Sequence, residues 1–283
     1  MRFFIDSITS KAYWQYVLFS KSGAGSVFTV YGIFWLIVQT LDFFKVYTQD
    51  RYASYAFLLF LLASAVIAIY FRRPVSSISV PFPSNDFAIE VRIGDILEAG
   101  GAVMVSANTT FEADVAGGKI ASNSLQGQFT ARYFTGDQSG LIEQINKALE
   151  GIGGTAPFPI GTTIPITTHG KTFYFTAMAE LNDQGNASTT TDNVLRALER
   201  LWMHVRDAGE LQELVVPVVG TGRGRLSISR KKMIGLIADS FVRASEQGKF
   251  ADRLVIVVRP EDASKFEVNL YDVKDHLVQA LQS

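Results

Sequence analysis

The residues best able to do chemistry gather in two glycine-bearing stretches, each following a short apolar run. The first lies between Val91 and Phe129. Val91, Ile93 and Ile96 flank Gly94-Asp95, an apolar run from Ala102 to Val105 ends at Ala107-Asn108, and a long stretch rich in Gly, Ser, Asn and Gln follows. A buried strand that delivers an Asn to such a loop is how α/β domains build ligand crevices, at the carboxyl ends of strands. The Asn108 amide has two donors and an acceptor, which suits a ribose or phosphate edge. Equally, Asn108 could only cap its strand and Asp95 only close a turn.

The second stretch is Gly220-Thr221-Gly222-Arg223-Gly224-Arg225, after the apolar run Leu214 to Val219. Glycines let a backbone approach a phosphate, and their N–H groups can form an anion-binding nest. The spacing is neither a P-loop nor GxGxxG, since position 225 is Arg, so the motif alone is also compatible with a plain turn. Ser229 would cap the next helix and put Arg230, Lys231 and Lys232 in its first turn. Exposed cations there oppose the helix dipole by about 0.3–1 kcal/mol each. A bound diphosphate would relieve that conflict; the other outlet is for the long side chains to bend into water.

Composition narrows the chemistry. The chain has no Cys, so disulfides, thiolate metal sites and Cys nucleophiles are excluded. His169, His204 and His276 are too far apart for a ligand-like spacing, and no metal site is expected. Net charge is -1, but residues 1–73 carry +4 and residues 74–283 carry -5. A domain at -5 is not a general polyanion binder, which argues against nucleic acid.

The elements that would position the two stretches alternate. Strands are expected at Phe87–Ile96, Ala102–Ala107, Leu214–Val219 and Leu254–Val258, with a strand pair around His169-Gly170. Helices are expected at Leu141–Leu149, after Thr190 or Thr191, at Ser229–Glu246 and at Val273–Leu281. Val194, Leu198, Leu201 and Val205 repeat at helical spacing. Such alternation implies a central sheet with helices on both faces.

The amino-terminal quarter differs. Residues 1–24 mix aromatics with Arg2, Lys11 and Lys21, and read either as an interfacial amphipathic leader or as a disordered one. Residues 25–44 and 53–71 are apolar runs of the length a spanning helix needs, about 20 residues. Together they predict a transmembrane hairpin over 25–73, with Asp42 either at the interface or facing a partner helix. Arg2, Lys11 and Lys21 before the first run, and Arg72-Arg73 after the second, place both ends in the cytoplasm. The proline-bearing segment 74–84 reads as a linker to a domain spanning 85–283.

At its two polar loops the chain resembles the macrodomains, a family of ADP-ribose-binding three-layer α/β/α domains with a mixed central sheet. The features carrying the resemblance are Gly94-Asp95-Ile96, the run Ala102 to Asn108, and Val218-Val219-Gly220-Thr221-Gly222-Arg223-Gly224. Two apolar runs ahead of such a domain further resemble the membrane-anchored macrodomain effectors of Thoeris anti-phage systems. In that group an Asn–x–x–Phe start and a later Ser-Leu-x-Gly-x-Phe recur, here Asn108 with Phe111 and Ser124 to Phe129. The resemblance implies that Asp95 accepts from an adenine amine, the Ile96 amide contacts the ring, and Asn108 contacts the distal ribose. It implies that Ser122, Ser124, Leu125 and Gly127, with Val219, Gly220, Thr221, Gly222, Arg223, Gly224 and Arg225, clamp the diphosphate.

It further implies a protein of the bacterial inner membrane whose ligand is an ADP-ribose derivative made by a TIR-domain partner, with no cofactor. Binding would drive homo-oligomerisation and disruption of the lipid bilayer. ADP-ribosyl hydrolases of this fold usually follow the Asn with three or more glycines and an acid, whereas Asn108 precedes Thr-Thr-Phe-Glu-Ala-Asp-Val-Ala and only Gly117-Gly118. That departure favours a sensor without catalytic residues. The alternative is a membrane-tethered ADP-ribosyl hydrolase using Glu112 or Asp114 as base.

Overall fold

A computed structural model describes residues 2–46, 53–181, 187–209, 211–219, 226, 228–263 and 268–281. The chain forms two compact units, residues 1–75 with 263–267, and residues 76–262 with 268–283.

In the first unit α1 (Arg2–Ile8), α2 (Lys11–Trp14) and a π-helical turn (Gln15–Phe19) lead into α3 (Lys21–Phe43), which is followed by α4 (Ala53–Phe71). Ser20 starts α3 by accepting a hydrogen bond from the Gly23 amide at 2.9 Å. The helix therefore begins four residues before the expected span. α3 and α4 run antiparallel. Phe34 stacks on Phe60 with centroids 5.4 Å apart. At one end Arg72 donates to the Ser22 carbonyl at 2.7 Å and the Ser26 hydroxyl at 3.0 Å, with its guanidinium over the Tyr16 ring. The outer faces stay bare: Phe28 and Leu36 on α3, and Leu62 and Val66 on α4, are each 64–69% exposed. Such continuous apolar surface suits a solvent as apolar as lipid.

α3 is long and apolar enough to cross a bilayer, whereas the apolar stretch Tyr55–Phe71 of α4 is shorter. The sequence expectation of two full spans is thus met by one candidate span near the amino terminus. A complete crossing needs about 20 residues, and α4 is marginal by that measure.

The second unit is built on one mixed sheet. Its strands are β1 (Ser77–Phe82), β2 (Phe87–Ile93), β3 (Ala102–Asn108), β4 (Thr163–Thr168), β5 (Lys171–Leu181), β6 (Ala187–Ser188), β7 (Leu214–Pro217) and β8 (Arg253–Val258). The order across the sheet is β1-β2-β8-β7-β3-β5-β4, with β6 paired to β5. β2, β8, β7, β3 and β5 are mutually parallel, and β1 and β4 close the two sides antiparallel. The parallel strands are buried on both faces, which is why β8 reads as the unbroken run Leu-Val-Ile-Val-Val.

Segment 74–84, expected as a linker, contains β1. Val80 and Phe82 alternate inward with exposed Ser79 and Pro81. Prolines are tolerated because β1 is an edge strand and needs fewer backbone donors.

Helices cover both faces, as the alternation of elements implies. On one face α5 (Leu125–Tyr133), the Phe134 that follows it, and α6 (Gln138–Ile152) pack Phe129, Phe134, Leu141 and Ile145 against Val103, Val105, Phe173 and Phe175. On the other, α7 (Thr191–Ala208) sets His204 against Tyr174, the opposite face of β5, and Trp202 of α7 meets Phe241 of α8 (Arg230–Ser245). The last helix, α9 (Leu270–Leu281), packs on α8 and β1. α5 was not foreseen; its residues were expected to belong to a long polar loop. It buries Gln126, Gly127 and Thr130 beside Phe129, so its inner face carries no clear apolar stripe.

Candidate functional site

The parallel strands bring Asp95, Asn108 and Val219 to one edge. Ile93 at the end of β2 is level with Val258 at the end of β8, and Pro217 at the end of β7 is level with Val257. Asp95, Asn108 and Val219 follow or end β2, β3 and β7, so all three stand at the carboxyl edge. After β3 the chain goes to α5 on one face; after β7 it goes to α8 on the other. Neighbouring strands whose connections diverge in this way leave a crevice between them.

Asn108 is buried, with 6% exposure. Its Oδ1 accepts from the Thr110 amide at 3.1 Å, the Thr110 hydroxyl at 2.9 Å and the Glu112 amide at 3.0 Å. The acceptor is thus spent on folding its own loop, so only the two Nδ2 donors remain for a ligand. Among the described residues nothing accepts from them. The oxygen of this side chain thus serves as a strand-end cap, the structural alternative the sequence had left open for Asn108. A register shift between Ala107 and Asn108 aims it out of the ladder.

The loop after Asn108 is fixed by side chains. Phe111 adopts φ 50°, a left-handed conformation unusual for a bulky residue. It is held there because its ring is buried edge-on against Phe158, centroids 5.8 Å apart. The Gln126 amide donates to the Glu112 carbonyl at 2.7 Å, and Gln138 donates to the Ala113 carbonyl at 3.0 Å. Glu112 Oε1 caps the Ala113 and Asp114 amides at 3.1 Å each, while Oε2 meets Lys119 at 2.9 Å. Burial raises the Glu112 pKa, but the Lys119 ammonium and the two amides outweigh it and hold the carboxyl below its ordinary range. Asp114 Oδ1 accepts from the Gly117 amide at 2.6 Å. A Cβ at Gly117 would lie 2.1 Å from the Asp114 carboxylate, so that glycine is needed for the cap. Both acids are therefore engaged as structural caps.

α5 begins where this loop ends. Ser124 Oγ accepts from the Gly127 amide at 3.1 Å and donates to the Ala121 carbonyl at 2.6 Å. A Cβ at Gly127 would lie 2.2 Å from the Ala121 carbonyl oxygen, so only glycine lets the turn close. The Leu125 and Gln126 amides find no acceptor among the described residues. Helix amino ends leave such donors free and carry a partial positive charge, which suits an anion. Ser122, exposed, precedes this turn.

On the far side, Asp95 caps a short 3-10 turn, Ile96–Glu98, accepting from the Leu97 amide at 2.9 Å. Its other oxygen pairs with Arg132 of α5 at 2.9 Å. Tyr133 and Lys171 donate to the Leu97 carbonyl at 3.1 and 3.2 Å, and Lys171 also reaches the Ala99 carbonyl. Burial pushes the Lys171 pKa down, against the pull of Asp95 and Glu213. Ile96 is buried at the base of this turn. Arg132, Tyr133 and Lys171 were missed from sequence, the first two because they lie on the unforeseen α5.

Gly220, Thr221, Gly222, Arg223, Gly224 and Arg225 lie outside the described residues. Their flanks are described: the Val218 amide donates to Val257 at 3.1 Å, and Val219 is buried. Ser229 caps α8 as expected, accepting from Lys232 at 3.3 Å. Arg230 does not extend freely into water; it pairs with Asp262 at 2.7 Å, and Arg259 approaches the same carboxylate at 3.3 Å. Among the described residues no cluster of His, Cys, Asp or Glu is arranged to hold a metal.

The geometry can be set beside known proteins. Residues 89–259 match the family model described as Thoeris protein ThsA, Macro domain. No curated protein is similar enough to match the chain. Among solved structures, the Oceanobacillus iheyensis macrodomain with MES bound is similar with a TM-score of 0.51 at 15% identity, over 72% of this chain and 100% of that one. The same macrodomain with ADP aligns with a TM-score of 0.51 at 16% identity, over 73% and 100% of the two chains. At such identity the likeness establishes the fold.

Proposed function

The chain belongs to the Thoeris ThsA macro-domain family, and from that premise we propose that it is an anti-phage effector whose macrodomain binds an ADP-ribose-type nucleotide. One observation carries this reading: Asp95, the free amide of Asn108 and the free backbone donors of α5 meet at the carboxyl edge of the parallel strands. Asp95 and the Ile96 amide would read the base. Asn108 would donate to the distal ribose. The α5 amino end, with Gly220 to Arg225, would clamp the diphosphate. The solved macrodomain with ADP bound supports this choice of ligand class.

The domain acts as a sensor, and no residue is assigned a catalytic role. A general base must be free to take a proton, whereas Glu112 and Asp114 both cap loop amides. The signal would come from a TIR-domain enzyme. α3 and α4 would sit in the bacterial inner membrane, with both ends cytoplasmic. Two helices cannot enclose a pore, so action on the bilayer requires several copies. Ligand would favour the assembled state only by binding it better than the separate one. The bare outer faces of Phe28, Leu36, Leu62 and Val66 are the surfaces available to lipid or to a second copy. The test is particle mass in detergent with and without ADP-ribose derivatives. Ligand-dependent growth is the expected result; an unchanged mass at saturating, calorimetrically confirmed binding would overturn the assembly mechanism.

A further inference from the structure

Asp95 does not stand alone where the base is proposed to lie. One carboxylate oxygen is fixed by the Leu97 amide at 2.9 Å and the other meets the Arg132 guanidinium at 2.9 Å. The side chains of Asp95 and Arg132 are 35% and 40% exposed, so the pair is reachable by a ligand. The turn is tied next to Arg132, because Tyr133 and Lys171 both donate to the Leu97 carbonyl. A ring that approaches the outer oxygen of Asp95 therefore also approaches the Arg132 fork. Arg132 has five N–H donors; its Nη2 serves Asp95 and lies 4.0 Å from Glu98, which leaves donors for a ligand.

We propose that Arg132 sets the base selectivity of this crevice, making it a reader of purines in general rather than of adenine alone. The inference rests on the reading of Asp95 as the base-contacting residue. A lone carboxylate accepts from the amine of a 6-aminopurine and repels the carbonyl of a 6-oxopurine. A carboxylate beside a guanidinium meets both. The amine donates to Asp95; alternatively the 6-oxo group accepts from Arg132 while N1–H donates to Asp95. Sites that hydrogen-bond only one partner reject the other because a buried polar group is left unmatched. Arg132 removes that penalty and also neutralises Asp95 beside an anionic ligand.

The experiment is calorimetric titration of the full-length protein in detergent with ADP-ribose and with inosine diphosphate ribose, repeated on Arg132→Gln. Thermal melting of both proteins controls for folding. The unaltered protein should bind the two nucleotides within about tenfold of each other, and Arg132→Gln should widen that ratio by about thirtyfold or more, chiefly through loss of the inosine compound. ADP-ribose binding with rejection of the inosine compound by the unaltered protein, or equal loss of both nucleotides in the variant, would overturn this inference alone. Binding of neither nucleotide by the unaltered protein would overturn the ADP-ribose reading and this inference together.

Discussion

The two ends of the parallel strands can be compared directly. At the amino end lies a cavity of about 990 Å³ bordered by Asp86, Glu213, Lys249, Asp252 and Arg253. Its charges satisfy one another: Lys249 pairs with Asp86 at 2.8 Å and Asp252 at 2.7 Å, and Arg253 lies 3.6 Å from Glu90 and 3.9 Å from Glu213. At the carboxyl end the Asn108 oxygen and the Glu112 and Asp114 carboxylates serve loop amides, while the Asn108 amide and the Leu125 and Gln126 N–H groups find no acceptor among the described residues. Unsatisfied donors of one polarity give a ligand something to repay; a self-paired rim gives it only room. On the proposed reading, affinity for an anionic nucleotide follows the unmatched donors rather than open space alone.

The same small lesion placed at each end should have unequal consequences. A Cβ at Gly127 would lie 2.2 Å from the Ala121 carbonyl, and one at Gly101 would lie 2.3 Å from the Glu213 carbonyl. Gly127→Ala should lower ADP-ribose affinity by about a hundredfold, since a displacement near 1 Å suffices to misplace the donors. Gly101→Ala should cost about 1–3 kcal/mol of stability through overpacking and leave affinity within about twofold. Calorimetry and thermal melting on both variants measure the pair.

Asn108→Asp sharpens the point by separating two jobs in one side chain. The carboxylate keeps an acceptor for the Thr110 and Glu112 amides, so the fold should persist. The donors are lost, so affinity should fall about ten- to a hundredfold. Unchanged binding would show that the Asn108 amide faces no ligand.

A smaller effect is expected at Glu112. Its carboxyl is held low in the folded protein, so its contribution is present above the ordinary glutamate range and lost as the pH falls through the depressed value. Ligand affinity should decline over that acid window as the loop loosens, and Glu112→Gln should flatten the decline. The smallest effect belongs to His204, away from both strand ends. Burial lowers its pKa, against Asp207, so stability should fall slightly as the pH drops below 6.5. His204→Gln should remove that slope in melting curves and leave affinity alone.

Much of the sheet was legible because its parallel strands are buried on both faces and spell apolar runs, as in β3, β7 and β8. β1 was hidden by its prolines, which an edge strand tolerates. α5 was hidden because Gln126, Gly127 and Thr130 share its buried face with Phe129. With α5 unseen, Arg132 had no visible route to Asp95, since 37 residues separate them. Asn108 was legible as a polar strand end, but not the consumption of its oxygen, which depends on a loop turned by Phe111 and Phe158. The apolar runs of α3 and α4 were plain in sequence, and α4 occupies the same residues, 53–71, that its run marked out.

Hydrogen exchange on the full-length protein with and without ADP-ribose locates the crevice. Peptides covering 108–112 and 122–128 should gain protection on binding, while those covering 249–253 should exchange unchanged. Protection at 249–253, or at neither end while calorimetry reports binding, would contradict the assignment of the crevice to the carboxyl edge.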